Sequence, residues 1–361
     1  MPRQSLITTS PDSQTPRIQR ARYGVIPGTL LLLILLMLIS LLLGAVRISL
    51  ADLLSALTGS AHHGEVGDRN LSALILWQLR LPRILMAAIA GFALGISGAA
   101  MQGILRNPLV SPFTLGVSSA AGFGAAAAIV IGGEAVNLAL FSLGLPIVFA
   151  FICALASMAA VLALSRLTGG AGKTVILAGI AVMYLFSAGT SILQYAASSE
   201  ELSRIVFWMM GSLSAAQWWE VGFAGGILLL SAPVLYLNSW NYTILAMGED
   251  ASLSVGIDPR KTTRITIVLC AFLTAGIISL TGVIGFIGLV APHIARMILG
   301  NDYRFLLPAS GLFGALLLVA ADTLSRTLLA PAEFPIGIMT AFLGVPFFLY
   351  LLIRASRTGR E

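Results

Sequence analysis

Nine long stretches free of Asp, Glu, Lys and Arg divide this chain: Gly24–Val46, Ile84–Leu105, Asn107–Gly133, Ala135–Ser165, Thr174–Ser199, Val221–Gly248, Ile265–Ala295, Phe305–Ala321 and Phe334–Ile353. A helix rises about 1.5 Å per residue, so roughly 20 apolar residues cross a hydrocarbon core of about 30 Å. Each stretch is long enough for one crossing or nearly so. Backbone groups in lipid must bond within the protein, so repeated runs of this kind predict an all-α integral membrane protein. The composition agrees: 58% hydrophobic and 10% charged residues leave too little polar surface to cover a water-soluble core. The first run follows a polar, arginine-bearing N-terminus and is too long for a secretory signal, so it reads as an uncleaved anchor.

Ile265–Ala295 is too long for one ordinary span and contains Gly276, Gly282, Gly285, Gly288 and Pro292. It divides into a full helix (about 264–283), a glycine-rich re-entry and a short eighth helix (about 290–299). Broken helices at membrane depth are tolerated where they face protein or a watery cavity. The expectation is therefore ten transmembrane helices. Even parity returns Arg354, Arg357 and Arg360 to the side of the basic N-terminus and places most of the 21 Lys and Arg residues on that face. The positive-inside rule makes that face cytoplasmic, which accounts for a net charge of +6 without invoking nucleic acid. The expected layout is a cytoplasmic tail (1–25), a ten-helix transmembrane domain (26–354) with an inner loop (238–263), and a cytoplasmic tail (355–361).

Six basic residues fall on the other face: Arg47, Arg69, Arg80, Arg83, Arg204 and Arg326. Arg80 and Arg83 bracket Pro82 at the start of the second span, and Arg326 ends the ninth. Two readings stand from the residues alone. Either these arginines snorkel and make local pairs, Asp322 with Arg326 at i,i+4 among them, or they form a cationic patch for an acidic partner.

Little points to catalysis. No G-x-S-x-G or H-E-x-x-H occurs, so a membrane hydrolase lacks a nucleophile or zinc site. Cys153 and Cys270 lie in apolar runs without CxxC spacing and read as small hydrophobes. His62 and His63 are adjacent in the first outer loop, a weak metal signal that fits a solvated loop better. Gly169–Thr174 (GGAGKT) is a near miss for a phosphate-binding loop, because position 167 is Leu and no strand precedes it. An ion-coupled carrier needs ionisable groups inside its spans. Asp322 and His293 are thin material for one, yet a secondary transporter stays open as an alternative.

The longest inner segment, Asn238–Thr263, carries Ile244, Leu245, Met247, Leu253 and Val255 among polar residues, and Asp258-Pro259 turns it into a basic cluster. It reads as one or two short surface helices. Their apolar ridge rests on lipid or docks into a soluble partner, and the length favours docking.

Seven motifs in order then resemble one family, the membrane permease subunit of ATP-binding-cassette importers for ferric siderophores, haem and cobalamin. They are WQLRLPR (Trp77–Arg83), SGAAMQGILRNPLVSP (Ser97–Pro112), FWMMGSL (Phe207–Leu213), MGEDASLSVGI (Met247–Ile257), GFIGLVAPHIAR (Gly285–Arg296), LLPASGLFGALLLVAADTLSR (Leu306–Arg326) and EFPIGIMTAFLGVPFF (Glu333–Phe348).

The resemblance implies the type II importer permease architecture, with cytoplasmic coupling helices, in the inner (plasma) membrane. It implies a dimer with a second permease subunit, identical or not. It also implies two ATPase subunits below and a periplasmic or lipid-anchored substrate-binding protein above. The chain itself would bind no cofactor, with ATP and magnesium on the ATPase. Arg80, Arg83 and Arg326 would dock the binding protein. Glu249, Asp250, Ala251 and Gly256 would contact the ATPase, and Gly172 and Lys173 would form the cytoplasmic gate. The implied cargo is an iron-siderophore complex, with haem or cobalamin as alternatives.

Overall fold

The computed structural model describes residues 15–44, 73–132, 139–167, 172–330 and 332–358, and every regular element among them is helical. In chain order these are α1 (Thr15–Leu42), α2 (Leu81–Leu105), α3 (Val117–Gly132), α4 (Ala139–Leu167), α5 (Gly172–Ala196), α6 (Ser199–Met210), α7 (Trp218–Leu237), α8 (Ser239–Met247), α9 (Glu249–Ser254), α10 (Pro259–Thr281), α11 (Ile287–Leu299), α12 (Tyr303–Thr327) and α13 (Ile336–Thr358). A turn of π-helix, Ile75–Arg80, runs directly into α2. Among the described residues, seven helices are long and apolar enough to cross a membrane, and α3, α11 and residues 336–350 of α13 form three shorter apolar helices. His62 and His63 lie outside the described residues, as do Arg47 and Arg69. α1 begins at Thr15, inside the segment expected as a polar tail.

Three spans form the centre. The windows that qualify α2, α12 and α10 as spans are 78%, 67% and 61% buried, against 22% for α5 and α7. Water supplies no drive for helix association inside a bilayer, so close packing through small residues must do it. α2 and α12 meet in this way. A β-carbon at Gly91 would land on the Gly314 carbonyl, one at Gly95 on the Ser310 carbonyl, and one at Gly314 on the Gly91 carbonyl. Further along α2, Gly98 lies under the Gly288 carbonyl of α11. Glycines on one helix, α2, thus make its close contacts with both α12 and α11.

The long seventh run breaks as its glycines predict. α10 stops at Thr281, Gly282 turns at φ +68°, and α11 starts after Phe286, whose φ is +66°. Freed backbone groups need partners at this depth. The Ser212 N–H donates to the Thr281 carbonyl (2.8 Å), and the Ile336 N–H donates to the Gly211 carbonyl (3.2 Å). Thus the FWMMGSL segment, the break and the start of α13 knit together.

One element was not foreseen. The charged segment after α5 folds as the amphipathic helix α6, closed by a capping box. The Ser198 N–H donates to the Glu201 carboxylate (2.8 Å), and Ser198 Oγ accepts from the Glu201 N–H (3.4 Å). Those hydrogen bonds hold the Glu201 carboxyl below its ordinary range. The S-x-x-E pattern was legible as a cap.

Gly95→Leu is expected to lower stability by about 3 kcal/mol or more through overpacking, read as an early thermal unfolding transition in detergent. Gly222→Ala, where nothing lies within 4 Å of the new carbon, should stay within about 0.5 kcal/mol.

Candidate functional site

Two groups of residues lie at opposite ends of α2. At its start, Arg80 and Arg83 share a face at i,i+3 spacing. Neither is an open docking group here: Arg80, Arg83 and Arg326 are only 6%, 9% and 5% exposed. Asp322, 1% exposed, lies between two guanidinium groups, accepting from Arg83 Nε at 2.7 Å and from Arg326 Nε at 3.1 Å. The i,i+4 pair read from the sequence is thus present, within a larger cluster. Arg83 Nη1 also reaches Glu333 at 2.8 Å, and the Glu333 side chain is 41% exposed.

The remaining donors are spent on α1. The last carbonyls of a helix have no partner within it. Arg326 Nη2 donates to the Ser40 carbonyl (2.8 Å), Arg326 Nη1 to the Leu43 carbonyl (3.0 Å), and Arg80 Nη1 to the Leu41 carbonyl. Cations at a helix C-terminus also oppose its dipole. Two of the three arginines therefore cap the first span, a role the sequence did not suggest because α1 is nearly 40 residues away from Arg80. Trp218 Nε1 donates to the Trp77 carbonyl (2.9 Å) beside this cluster, and the two rings lie 6.4 Å apart. Such aromatics are typical of a membrane–water boundary.

At the other end of α2 lies the loop expected to contact the ATPase. It forms two short helices, α8 and α9, joined at Gly248. Glu249 and Asp250 are exposed and Ala251 is half-buried. Gly256 has φ +80° with open space around its missing side chain, so the backbone turn rather than packing requires glycine there. Of the apolar ridge, Leu245 is buried whereas Met247, Leu253 and Val255 are exposed.

α8 is tied firmly to the spans. Tyr242 is fully buried, its hydroxyl 3.0 Å from Thr266 Oγ1 on α10, and its ring meets Tyr303 of α12 edge-on at 6.0 Å. Burial pushes the Tyr242 phenol above its ordinary range. The Tyr303 N–H donates to Thr243 Oγ1 (3.1 Å). Arg106, in the left-handed conformation that ends α2, pairs with Glu249 at 3.0 Å on the surface. Sequence reasoning passed over Tyr242, Thr266, Arg106 and Glu333. A tyrosine two residues before the apolar ridge of that loop was the available signal for the first.

Gly172 begins α5 and is half-buried, and a β-carbon on it would meet Leu105 only at 3.8 Å. Neither sterics nor a positive φ demands glycine there. Lys173 follows in the first turn of α5. Gly172 and Glu249 line one cavity of about 360 Å³, which brings the expected gate and coupling residues to the same place. The neighbouring residues 168–171 lie outside the described residues. Among those described, no group of three His, Cys, Asp or Glu residues is arranged to hold a metal ion. Asp322, one of the two proton-relay candidates, is committed to two arginines.

A helical core broken at one span, with a rigidly held pair of loop helices at one end, is the form of a multi-pass transporter permease. The FecCD transport family model matches residues 32–354, and the chain belongs to that family. The hemin transport system permease protein HmuU of Yersinia pestis is 38% identical over 90% of this chain and 94% of its own. The cobalamin import system permease protein BtuC of Halobacterium salinarum is also 38% identical, over 80% of this chain and 76% of its own. Among solved structures, an inward-facing metal-chelate type ABC transporter superposes with TM-score 0.80 at 32% identity, covering 91% of this chain and 99% of that one. The protein is thus a multi-pass ABC transporter permease, a class that works with an ATPase and a binding protein and is not itself an enzyme.

Asp322→Asn removes a carboxylate shared by two buried arginines and is expected to cost about 3–5 kcal/mol, measured by thermal unfolding. Arg106→Gln breaks a surface pair and should change stability by less than about 1 kcal/mol.

Proposed function

We propose that this chain is the permease subunit of an ATP-driven importer that admits an iron-siderophore complex delivered by an external binding protein. In this reading all ten apolar helices cross the inner membrane, with α11 as the short eighth span and α6 on the outer face. Both termini are cytoplasmic, two permease subunits enclose the path, and two ATPase subunits bind below with the ATP and magnesium.

The observation that carries the proposal is the coupling element. Glu249, Asp250, Met247, Leu253 and Val255 face outward from two short helices, while Tyr242 locks the same element to α10 and α12. A push from a soluble subunit on that surface has a rigid route into the central spans. The face of α5 supports a shared path. Tyr184 is 68% exposed and stands about 18 Å into the helix from Gly172, a costly place for a hydroxyl facing lipid and a reasonable one beside a watery path or a second subunit.

Haem or cobalamin is the second reading for the cargo, favoured by what the relatives carry. Their chemical difference, at equal identity to this chain, fits a path whose selectivity lies in the binding protein.

The docking role of Arg80, Arg83 and Arg326 takes a specific form. Arg83 already holds a carboxylate, Glu333, which is half open to solvent. An acidic residue of the binding protein would compete with Glu333 for Arg83, while Asp322 keeps the cluster together.

Reconstituted with ATPase and binding protein, the permease should accumulate cargo in vesicles on ATP addition. The chain alone should accumulate none, and uphill uptake by it under a proton gradient would support the ion-coupled alternative. Glu333→Gln should strengthen binding-protein docking by about threefold to tenfold at low salt, with the gain shrinking as salt rises. Unchanged affinity at every ionic strength would remove Glu333 from the docking step.

A further inference from the structure

The cavity at the coupling end has a composition that the transport reading does not call for. Its volume is about 360 Å³, and four arginines line it: Arg106 at the end of α2, Arg166 at the end of α4, and Arg260 and Arg264 in the first turns of α10. Glu249 is the only carboxylate among the lining residues, and it is engaged by Arg106 at 3.0 Å. Among the described residues, no carboxylate pairs with Arg166, Arg260 or Arg264. Three guanidinium groups from two different helices therefore share one small space with no paired carboxylate among the described residues. Like charges so gathered repel, and an anion in their midst relieves the repulsion.

The rest of the lining narrows the choice of anion. The first turn of α5 opens on the cavity at Gly172 and Val175, and N–H groups at a helix start favour negative charge. The arginines are exposed, whereas Leu105, Val175, Leu245 and Ile267 of the same lining are buried. The cavity thus has a cationic rim above an apolar floor. Guanidinium groups pair with phosphate oxygens two at a time, with directed N–H bonds. A small inorganic anion would satisfy the rim and leave the floor unused.

We propose that this cavity binds a phosphate group, and that its source is the phosphodiester headgroup of an anionic phospholipid whose first acyl carbons cover the apolar floor. The site lies where the arginine-rich ends of several spans reach the membrane surface, the depth at which such headgroups lie. A bound headgroup would join the ends of α4 and α10 to the start of α5. Only the resulting influence on the gate rests on the importer reading. Binding itself does not depend on it.

The test uses the purified full-length permease in neutral detergent, with short-chain phosphatidylglycerol, short-chain phosphatidylcholine and inorganic phosphate added separately. Retention is read by native mass spectrometry and stabilisation by thermal unfolding. Phosphatidylglycerol should be retained and raise the unfolding temperature, and phosphatidylcholine should do so weakly. The double variant Arg260→Gln, Arg264→Gln should bind phosphatidylglycerol about tenfold or more weakly. Both side chains are exposed, so the variant should unfold near the wild-type temperature without lipid; Arg166→Gln serves as a second variant if it does not. Glu249→Gln removes the one negative group in the lining and should tighten binding. Stabilisation by inorganic phosphate alone, lost in the double variant, would support the phosphate site and overturn the lipid source. Equal binding of phosphatidylglycerol by wild type and variant, or equal binding of the two lipids, would overturn the site while leaving the importer reading untouched.

Discussion

In a hydrocarbon medium every backbone carbonyl and N–H must find its partner within the protein, and this fold is largely a set of answers to that demand. Inside the spans the helices answer it themselves. The difficult places are where helices stop. α1 ends at Leu42, and guanidinium groups from α12 and from the π-turn before α2 cover its terminal carbonyls. α10 ends at membrane depth, and the backbone around Gly211 reaches across to cover the gap. The same necessity that ends a helix thus ties distant segments together.

Once arginines are drawn inward for that purpose, their charge has to be balanced, and Asp322 and Glu333 follow. The result is a cluster that joins α1, α2, α12 and the approach to α13. It differs in kind from the pair at the other end of α2. Arg106 and Glu249 remain on the surface, where water screens them and the bond is easily exchanged. One end of α2 is held by buried, mutually dependent charges, and the other by a contact that a partner can replace. Between them the glycine contacts with α12 and α11 leave little room for independent movement of α2.

Much of this was legible from residues. The apolar runs located the spans, and the glycines of the seventh run located its break. The seven motifs identified the family, and the inner loop was read as short helices with an apolar ridge. The docking arginines show where such reading runs short. Exposure is a property of the packed molecule, and the three arginines expected to dock a partner are buried. Asp322 was close enough along the chain to be paired with Arg326. Glu333, 250 positions from Arg83, was not.

The sequence by itself determined that the chain is helical, spans a membrane repeatedly and belongs among ABC permeases, because hydrophobic periodicity, run length and motif order are local properties written along the chain. Only the tertiary structure decided which charges meet, that Tyr242 ties α8 to two spans, and that four arginines line one cavity. Those outcomes depend on helix ends brought together from far apart in sequence, where a side chain's role is set by the carbonyl, carboxylate or empty space it happens to face.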